Sequence, residues 1–551
     1  MSRIKLQAGI IYDPANSVSG TVGDIWIEDG KIVVPPNSER ETDFRIIDVR
    51  DRVVMPGGID MHCHCAGPKV NTARKMQPEF SRAGAESRIH RNGLTLHSGN
   101  PNNVPTIFTT GYRYTGMGYT TCFDAAVSPL ASRHVHREFE QIPNVDTGFY
   151  TLVGNNQFVL ERIAAGDTNG LDHFLAWLFH KTAAFAPKIV NPGGVENFKN
   201  NREGNIKDLH QKIDGFGITP AQIVESIARS ANRLNLPHPV HIHCNNLGMP
   251  GNWTTTLETM KTLEGQKAHL AHIQFHSYGG GDEVEESLRS KVDPLANYVN
   301  ENPNLSVDVG QVMFGQTISM TGDSALGYYL QKIGGKRWAS ADTECESGCG
   351  ISPIEFKNKK LIHALQWAIG LEWYLKIKNP WQIVMSTDHP NGGSFLAYPQ
   401  IVRLLMDSNY RREMIKKVHP GVLQATELES IDREYTLEEI AIITRAGPAK
   451  LLGLHSKGHL GPGADADITV YNPSKNYEQM FSLPWMVIKS GQLLIEDSEI
   501  RNTVSGVTFA VQRPWDTDFS PKIHQWFGDN YSISSCHFGV REGEFDRIVR
   551  L

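Results

Sequence analysis

The alternation of apolar and polar positions changes twice along the chain. Residues 1 to about 57 alternate with the period of a strand, in runs such as KLQAGIIYD and DIWIEDGKIVV, and Asp29-Gly30 has the composition of a hairpin turn. From Gly58 onward, short apolar runs are separated by long helical stretches, which is typical of βα units around a parallel sheet. Beyond residue 454, GPGADADITVYN and WMVIKSGQLLIED return to strand-like alternation. The pattern predicts a central α/β domain between two β-rich segments.

Eight apolar runs in the central region have the length of buried strands. They are GIDMHCH, YTTCFDA, TGFYTLV, APKIVN, PVHIH, HLAHIQF, LSVDV and WQIVMST. Eight such runs predict an α/β fold, a (β/α)8 TIM barrel over residues 58–454. Segments 1–57 and 455–500 are predicted to form one composite β-sandwich from both chain ends, and residues 501–551 are a C-terminal extension without an assigned fold.

Helix signals lie between these runs. In YTLEEIAIITRAGPAKLLG, Thr436 and Glu439 are spaced as a capping box and Gly453 marks the end of the helix. Two connections, Cys65–Gly118 and Gly310–Pro380, far exceed the usual loop length. Both leave the C-terminal face of the predicted barrel, so we expect a role in function or partner contact.

Composition and charge argue against several classes of protein. Among 551 residues, 54 Lys and Arg stand against 60 Asp and Glu, for a net charge of −6, which does not favour binding to nucleic acid or anionic membranes. No apolar run has the length of a signal-peptide core or a membrane span, so a cytoplasmic location is expected. The 7 cysteines form no CxxC pair, which argues against an iron–sulfur cluster or a disulfide framework.

Histidine and aspartate recur at the predicted strand ends. His62 and His64 share one face of the first strand because side chains alternate, while Cys63 and Cys65 share the other. Later strands carry further candidates, which are His241, His243, His269, His272, His276, Asp388 and His389. Buried histidines with ordinary hydrogen-bond partners would explain the residues at any one strand end. They are a poor explanation for His or Asp at four of eight strand ends. The pattern indicates a metal centre.

Lys188 in the fourth strand is unusual among these histidines. A buried ammonium beside other cations is costly, and reaction with CO2 would convert it to an anionic carbamate that could bridge two metal ions. The alternatives are that Lys188 extends to solvent or binds an anionic group of a substrate.

These residues resemble the amidohydrolase superfamily, in its hydantoinase and dihydroorotase branch. The resemblance is carried by HxH after PGGID, by the later Lys, His and Asp positions, and by DIWIEDGK and GADADITV. Within the superfamily, MPGGIDMHCHCAGPKVNTARK, KIVNPGG, HIHCNNLGMPGNW, HLAHIQFHSYGG and MSTDHPNGG are similar to the A subunits of formylmethanofuran dehydrogenases and formyltransferase/hydrolase complexes. The resemblance extends from near the N-terminus to about residue 495 and implies a binuclear zinc site in a metal-dependent barrel.

The resemblance implies a ligand set. His62 and His64 with Asp388 would hold one Zn²⁺, His243 and His272 the other, and Lys188, as N6-carboxylysine, would bridge them. His243 is preferred to His241 because it takes the ligand's place in the hydantoinase-like VHAEN pattern. Nearby supporting residues or alternative ligands are His241, His276, His389 and Asn245.

The resemblance also implies a reaction. The expected substrate is a methanofuran-type C1 carrier, whose N-formyl group is hydrolysed to formate and free amine. Two Zn²⁺ would activate water and the carbonyl, while Asp388 serves as base and then as acid. Other subunits of the complex are the expected partners, because this chain lacks the cysteine clusters and the dinucleotide fingerprint for CO2 reduction.

Three alternatives stay open at this point. The same protein could condense formate with methanofuran, the chain could be a dihydroorotase-like or hydantoinase-like cyclic amidase, or it could be a scaffold with a decayed site. Lys and acidic residues are not unusually abundant, which favours the bacterial formyltransferase/hydrolase setting over a hyperthermophilic one. Retention of all the expected ligand types argues against decay.

The long connection after the first strand is basic. Lys69, Arg74 and Lys75, followed by Arg82, Arg88 and Arg91, face only Glu79 and Glu86. With the aromatic Tyr112, Tyr114 and Tyr119, this loop is predicted to dock the carboxylates of the carrier. An ordinary solvated segment or a contact to an acidic partner protein is the simpler alternative.

Overall fold

The computed structural model describes residues 3–76, 90–91, 94–95, 104–201, 205–281, 288–335, 337–341, 349–531 and 533–551. Five strands precede the barrel: β1 (Arg3–Asp13), β2 (Val18–Glu28), β3 (Lys31–Val33), β4 (Arg45–Asp48) and β5 (Val53–Pro56). β2 and β3 form the predicted hairpin, and Asp29 and Gly30 have φ of 51° and 82° at its turn. Both φ angles are positive, as a type I′ turn requires.

The eight predicted barrel strands are all present. They are β6 (Gly58–Cys63), β9 (Tyr119–Val127), β10 (Asp146–Leu152), β11 (Ala186–Val190), β12 (Val240–His243), β13 (Ala268–Leu270), β16 (Leu305–Asp308) and β20 (Ile383–Val384). Neighbours pair in parallel in chain order, and a parallel bridge from Cys63 to His389 joins the first strand to the segment after the eighth. The predicted (β/α)8 fold is confirmed.

Short strands lie in the connections between the barrel strands. They are β7 (His90–Arg91), β8 (Leu94–Thr95), β14 (Tyr278–Gly279), β15 (Arg289–Ser290), β17 (Gly315–Thr321), β18 (Ala339–Ala341) and β19 (Cys349–Phe356). The last three form an antiparallel sheet inside the long connection before the eighth barrel strand. This connection is therefore a structured insertion at the C-terminal face of the barrel.

Helices fill most of the other connections. They are α1 (Pro68–Met76), α2 (Ile107–Thr115), α3 (Ser132–Phe139), α4 (Gln157–Ala164), α5 (Thr168–Thr182), α6 (Gly194–Asn200), α7 (Pro220–Arg233), α8 (Trp253–Thr262), α9 (Val292–Glu301), α10 (Ser324–Gly334), α11 (Leu361–Lys376), α12 (Tyr398–Met406), α13 (Ser408–Ile415), α14 (Val422–Ala425), α15 (Leu437–Ala441), α16 (Gly447–Leu452), α17 (Tyr477–Ser482), α18 (Ser520–Asn530) and α19 (Ser535–Phe538). In the described ranges, no helix combines the length and apolarity needed to cross a membrane.

The helix predicted near residue 440 is interrupted. Thr436 and Glu439 form the predicted capping box, and Gly453 ends the helix with a φ of 65°. Between α15 and α16, however, the chain makes a π-helical segment at Ile442–Ala446. Buried Arg445 in this segment donates from Nε to the carbonyl of Pro56 at 2.9 Å, a contact that ties the helix to the end of β5.

Strands from both chain ends form a second sheet of nine strands. After the barrel come β21 (Ile468–Tyr471), β22 (Met486–Lys489), β23 (Gln492–Glu496) and β24 (Glu499–Ile500), and β21 pairs with β5. The edge strand β3 contacts the segment that precedes β21, because the amide of Ile32 donates to the carbonyl of Ala464 at 2.9 Å. This strand-rich unit has its own apolar core. The exact domain boundaries stay a prediction.

The C-terminal extension packs onto the barrel. It carries β25 (Thr508–Ala510) and β26 (Ile548–Arg550), and β25 pairs with the first half of β10. Trp526 in α18 donates from Nε1 to Glu161 of α4 at 2.7 Å. The sequence assigned no fold here because these contacts join distant parts of the chain and leave no local periodicity.

Candidate active site

All six residues predicted to bind metal line one cavity. They are His62, His64, Lys188, His243, His272 and Asp388, and each is buried. They lie at or just beyond the carboxyl ends of β6, β11, β12, β13 and β20. The carboxyl ends of parallel barrel strands share one face, and the six side chains therefore converge from positions far apart in sequence.

The first group is built around Asp388. Nε2 of His62 and Nε2 of His64 each lie 3.1 Å from Oδ1 of this carboxylate. The intervening Cys63 points the other way, and its Sγ lies 3.4 Å from the carbonyl of Phe123. The alternation predicted for this strand end is therefore what places both imidazoles on the cavity side. Two imidazoles and a carboxylate are ligands that zinc accepts.

The second group consists of imidazoles. One ring nitrogen from each of His243, His272 and His276 lies within 4.8 Å of the others. β13 ends sooner than the sequence predicts, and His272 follows it with a φ of 33°. Gly310 makes room for this bend, because a Cβ at Gly310 would lie 2.4 Å from Cβ of His272. His276, which was predicted as an alternative ligand, is therefore the third imidazole of this group.

Lys188 is 2% exposed and lines the same cavity as the two groups. Burial lowers the pKa of its amine to about 8, although the charges of Asp308 and Asp388 oppose the shift. Within the described residues, Nζ of Lys188, Nε2 of His243 and Nδ1 of His272 have no hydrogen-bond partner. Buried polar atoms without partners are rare in proteins, so this set of donor atoms fits a cationic ligand better than an empty core.

Sequence reasoning missed two carboxylates behind the first group. Asp308, at the end of β16, accepts from Nδ1 of His62 at 2.8 Å. Asp124 in β9 accepts from the amide of Cys65 at 2.9 Å and lies 3.4 Å from Nδ1 of His64. Such carboxylates orient metal-binding imidazoles. The signal for Asp308 was available, because it lies one position before the end of the predicted strand LSVDV.

These charges change the electrostatics of His62. Burial alone would lower its pKa, but Asp308 and Asp388 outweigh burial and raise the pKa of His62 to about 9. The same interactions hold the pKa of both carboxyl groups well below the usual range, against the effect of burial. The site therefore keeps its carboxylates ionised, which is the form that binds cations.

None of the four residues predicted as supporting or alternative ligands lines the cavity, and three of them have other partners. His241 lies behind His62, with Nε2 3.0 Å from Nδ1 of that residue. Nδ1 of His389 accepts from the amide of Phe395 at 3.3 Å, and burial lowers the pKa of His389 to about 3. Asn245 donates from Nδ2 to Oδ1 of Asn191 at 2.8 Å.

The predicted carrier contacts, Lys69, Arg74, Lys75, Tyr112 and Tyr114, are not among the residues that line this cavity. Arg74 donates to the carbonyl of Cys65 at 2.7 Å, and Lys69 donates to that of Ala126. The hydroxyl of Tyr114 donates to Asp60 at 2.8 Å, and that of Tyr112 lies 3.0 Å from Oγ1 of Thr503. Tyr119 is buried. Arg82 and Arg88 lie outside the described residues, and a docking role for the loop stays a prediction.

The cavity measures about 430 Å³ and has largely apolar walls. The insertion before the eighth strand supplies much of them through β17, β19, α10 and α11. Apolar and aromatic lining residues include Leu247, Phe275, Leu326, Tyr329, Ile354 and Phe356. Among the described lining residues there is no arginine, and Lys188 is the only lysine. The cavity thus combines a polar floor with walls suited to an uncharged group.

Comparison with known proteins extends these observations. Residues 45–495 match the amidohydrolase family. Protein FwdA of Methanocaldococcus jannaschii is 40% identical over 560 residues, covering 98% of this chain and 96% of its own length. The A subunit of the formyltransferase/hydrolase complex Fhc of Methylorubrum extorquens is 34% identical, covering 98% and 97%. A chain in the crystal structure of the formyltransferase/hydrolase complex FhcABCD from that organism, in complex with methylofuran, superposes with a TM-score of 0.92 at 31% identity, covering 100% of this chain and 99% of that one.

Proposed function

Because this chain belongs to the amidohydrolase family, we propose that it hydrolyses a formamide, the N-formyl group of a methanofuran-type C1 carrier, to formate and the free amine. The observation that carries the proposal is the convergence of six potential ligands on one cavity. Similarity over nearly the whole chain to the Fhc A subunit, and to a chain of a complex crystallised with methylofuran, supports this substrate class.

The ligand set is proposed for two Zn²⁺ ions. His62, His64 and Asp388 would hold one ion, His243 and His272 would hold the other, and Lys188 as N6-carboxylysine would lie between them. Imidazole nitrogens and carboxylate oxygens form a combination that zinc accepts. In forming the carbamate, the neutral amine of Lys188 attacks CO2, a C–N bond forms, and one proton is released. When bound, the zinc pair would polarise the formyl carbonyl and make water nucleophilic at neutral pH.

Asp388 is the proposed proton carrier. Its Oδ1 faces His62 and His64, so Oδ2 is the oxygen assigned to proton transfer. The carboxylate takes a proton from the attacking water as the new C–O bond forms, and it returns a proton to the amine nitrogen as the C–N bond breaks. The products are formate and the free amine of the carrier. Asp308 and Asp124 act by holding the orientation of His62 and His64.

The walls of the cavity favour this substrate over a cyclic amide such as dihydroorotate. Dihydroorotate bears a carboxylate beside its amide, for which an arginine fork would be the natural partner. The described lining residues supply no arginine and many apolar side chains. An uncharged, partly apolar group next to the formamide fits these walls, with carboxylates of the carrier left outside the cavity.

The direction of the reaction is a separate question. A site that catalyses hydrolysis also catalyses the reverse condensation, so the supply of formate and carrier sets the direction in the cell. The 40% identity to Protein FwdA keeps condensation as a second candidate. In either case we propose that the chain works within a multisubunit complex, by analogy with its Fhc relative.

The test is formate release by the purified complex from the N-formylated carrier, with zinc measured on the same sample. Asp388→Asn should reduce turnover by about 10²–10⁴-fold, the usual contribution of a positioned acid–base group. The matched control is Asp13→Asn, because Asp13 is equally buried but caps the amide of Leu460 in the second sheet. Activity on dihydroorotate without activity on the formyl carrier would overturn the proposal.

A further inference from the structure

A row of buried histidines runs beneath the metal centre. Nδ1 of His238 lies 2.8 Å from the carbonyl oxygen of Leu451. Nε2 of His238 lies 3.1 Å from Nδ1 of His241, and Nε2 of His241 lies 3.0 Å from Nδ1 of His62. His238 and His241 are fully buried, and neither lines the cavity. The row therefore connects a backbone carbonyl in α16 with the first predicted metal ligand.

The carbonyl at one end of the row determines which nitrogen donates and which accepts in each hydrogen bond. A carbonyl oxygen only accepts, so His238 must carry its hydrogen on Nδ1, and in a neutral ring its Nε2 then accepts. Nδ1 of His241 is consequently the donor to His238, and Nε2 of His241 is left as an acceptor. It can accept only if His62 carries a hydrogen on Nδ1. Burial disfavours the charged form of His238 and lowers its pKa to about 3, so this ring is neutral.

Asp308 also requires a hydrogen on Nδ1 of His62. Its Oδ2 lies 2.8 Å from Nδ1 of His62 and 3.1 Å from Nε2 of His269. A carboxylate only accepts, so Nδ1 of His62 is again the donor, and its single hydrogen is shared between Oδ2 of Asp308 and Nε2 of His241. With a hydrogen held on Nδ1, Nε2 is the nitrogen that faces the cavity, where it lies 3.1 Å from Oδ1 of Asp388. Two independent partners thus select one tautomer of one ring.

We propose that His238 and His241 are positioning residues that, together with Asp308, keep a hydrogen on Nδ1 of His62, so that Nε2 is the nitrogen that gives up its proton to bind a divalent metal. The inference rests on the proposed function, because it takes His62 as a zinc ligand. The physical reason is the tautomer exchange of a neutral imidazole. A ring without fixed partners presents a hydrogen rather than a lone pair to the cation for part of the time.

The experiment compares replacements of His238 in the purified complex, using zinc affinity measured by competition with a chelator. His238→Phe removes the acceptor for His241, and we expect about a tenfold loss of zinc affinity, the lower end for outer partners of metal ligands. His238→Gln should keep affinity within about threefold of wild type, because its amide both donates to Leu451 and accepts from His241. His238→Asn, whose shorter amide reaches only the Leu451 carbonyl, should lose affinity like His238→Phe and serves if the Phe variant does not fold.

The matched control is His136→Phe. His136 is equally buried and its Nε2 lies 2.9 Å from the carbonyl of Thr182, away from the cavity. This variant should keep wild-type zinc affinity. Equal affinity of His238→Phe and wild type, or equal losses in the Gln and Phe variants, would overturn the positioning role. Wild-type complex without zinc would instead overturn the proposed metal centre itself.

Discussion

Replacing Lys188 by Met should stabilise the metal-free chain while destroying the metal site. Lys188 is 2% exposed, and its Nζ has no hydrogen-bond partner among the described residues. In the metal-free protein without the carbamate, the folded state must therefore hold a poorly solvated amine. Met has a similar length and no charge, so it can fill the same space without that cost.

The magnitude follows from the pKa of the amine. Folding lowers this pKa from 10.5 to about 8, which corresponds to a cost of ~3 kcal/mol when the group is protonated in both states. The cost is complete below about pH 8, shrinks as the pH rises to 10.5, and is absent above it. At pH 7, Lys188→Met should raise the melting temperature of the metal-free chain by about 2–4 °C, given the unfolding entropy of a barrel of this size.

Lys489 provides the matched control, because it is a buried lysine with partners. Its Nζ lies 2.6 Å from Asp146 and 3.0 Å from Asp467, at the contact between the second sheet and the barrel. Breaking a buried ion pair from one side leaves uncompensated charge and costs about 3–5 kcal/mol. Lys489→Met should therefore lower the melting temperature, opposite in sign to Lys188→Met.

The assay is thermal unfolding of chelator-treated protein at pH 7 and pH 10.5, at one scan rate, beside zinc quantification of untreated protein. The stabilisation from Lys188→Met should disappear at the higher pH, and the untreated variant should lack its zinc. If Lys188→Met destabilised the metal-free chain as strongly as Lys489→Met, the amine would have a charged partner, and the reasoning about its burial would be wrong.

Three further predictions concern the site and the basic loop. Removal of zinc with a chelator should abolish formate release, and added Zn²⁺ should restore it; full activity in metal-free protein would refute the metal centre. Cys63→Ala should leave zinc content unchanged, because the thiol faces away from the cavity, and loss of zinc would contradict that orientation. Arg74→Gln should lower stability by about 0.5–1.5 kcal/mol through lost part-buried hydrogen bonds and reduce activity equally on the full carrier and on a truncated formamide. A rise in KM for the full carrier alone would contradict this expectation and would support a role for Arg74 in substrate docking.

Much of the barrel and its ligand-bearing strand ends could be predicted from the sequence. The eight strands follow the eight apolar runs, and the hairpin at Asp29-Gly30 and the capping box at Thr436 follow local rules. These features depend on residues close together in the chain, where periodicity and turn chemistry act directly. Convergence of the six candidate ligands then follows from the geometry of a parallel barrel, whose strand ends share one face.

Other features depend on contacts that no local pattern encodes. Asp308 reaches His62 across 246 positions of sequence, and Trp526 reaches Glu161 across 365. The sequence predicts Arg74 as a contact of the carrier, and only the fold shows that its guanidinium donates to the carbonyls of Pro105 and Cys65. Much of the apolar wall of the cavity comes from an insertion that contains a three-stranded sheet. The sequence by itself placed His62 and His64 on one face of a strand and the other candidate ligands near predicted strand ends, because alternation and strand ends are local properties. Only the tertiary structure decided which carboxylates and histidines form hydrogen bonds with these candidate ligands, because burial and hydrogen-bond partners are set by packing between distant segments.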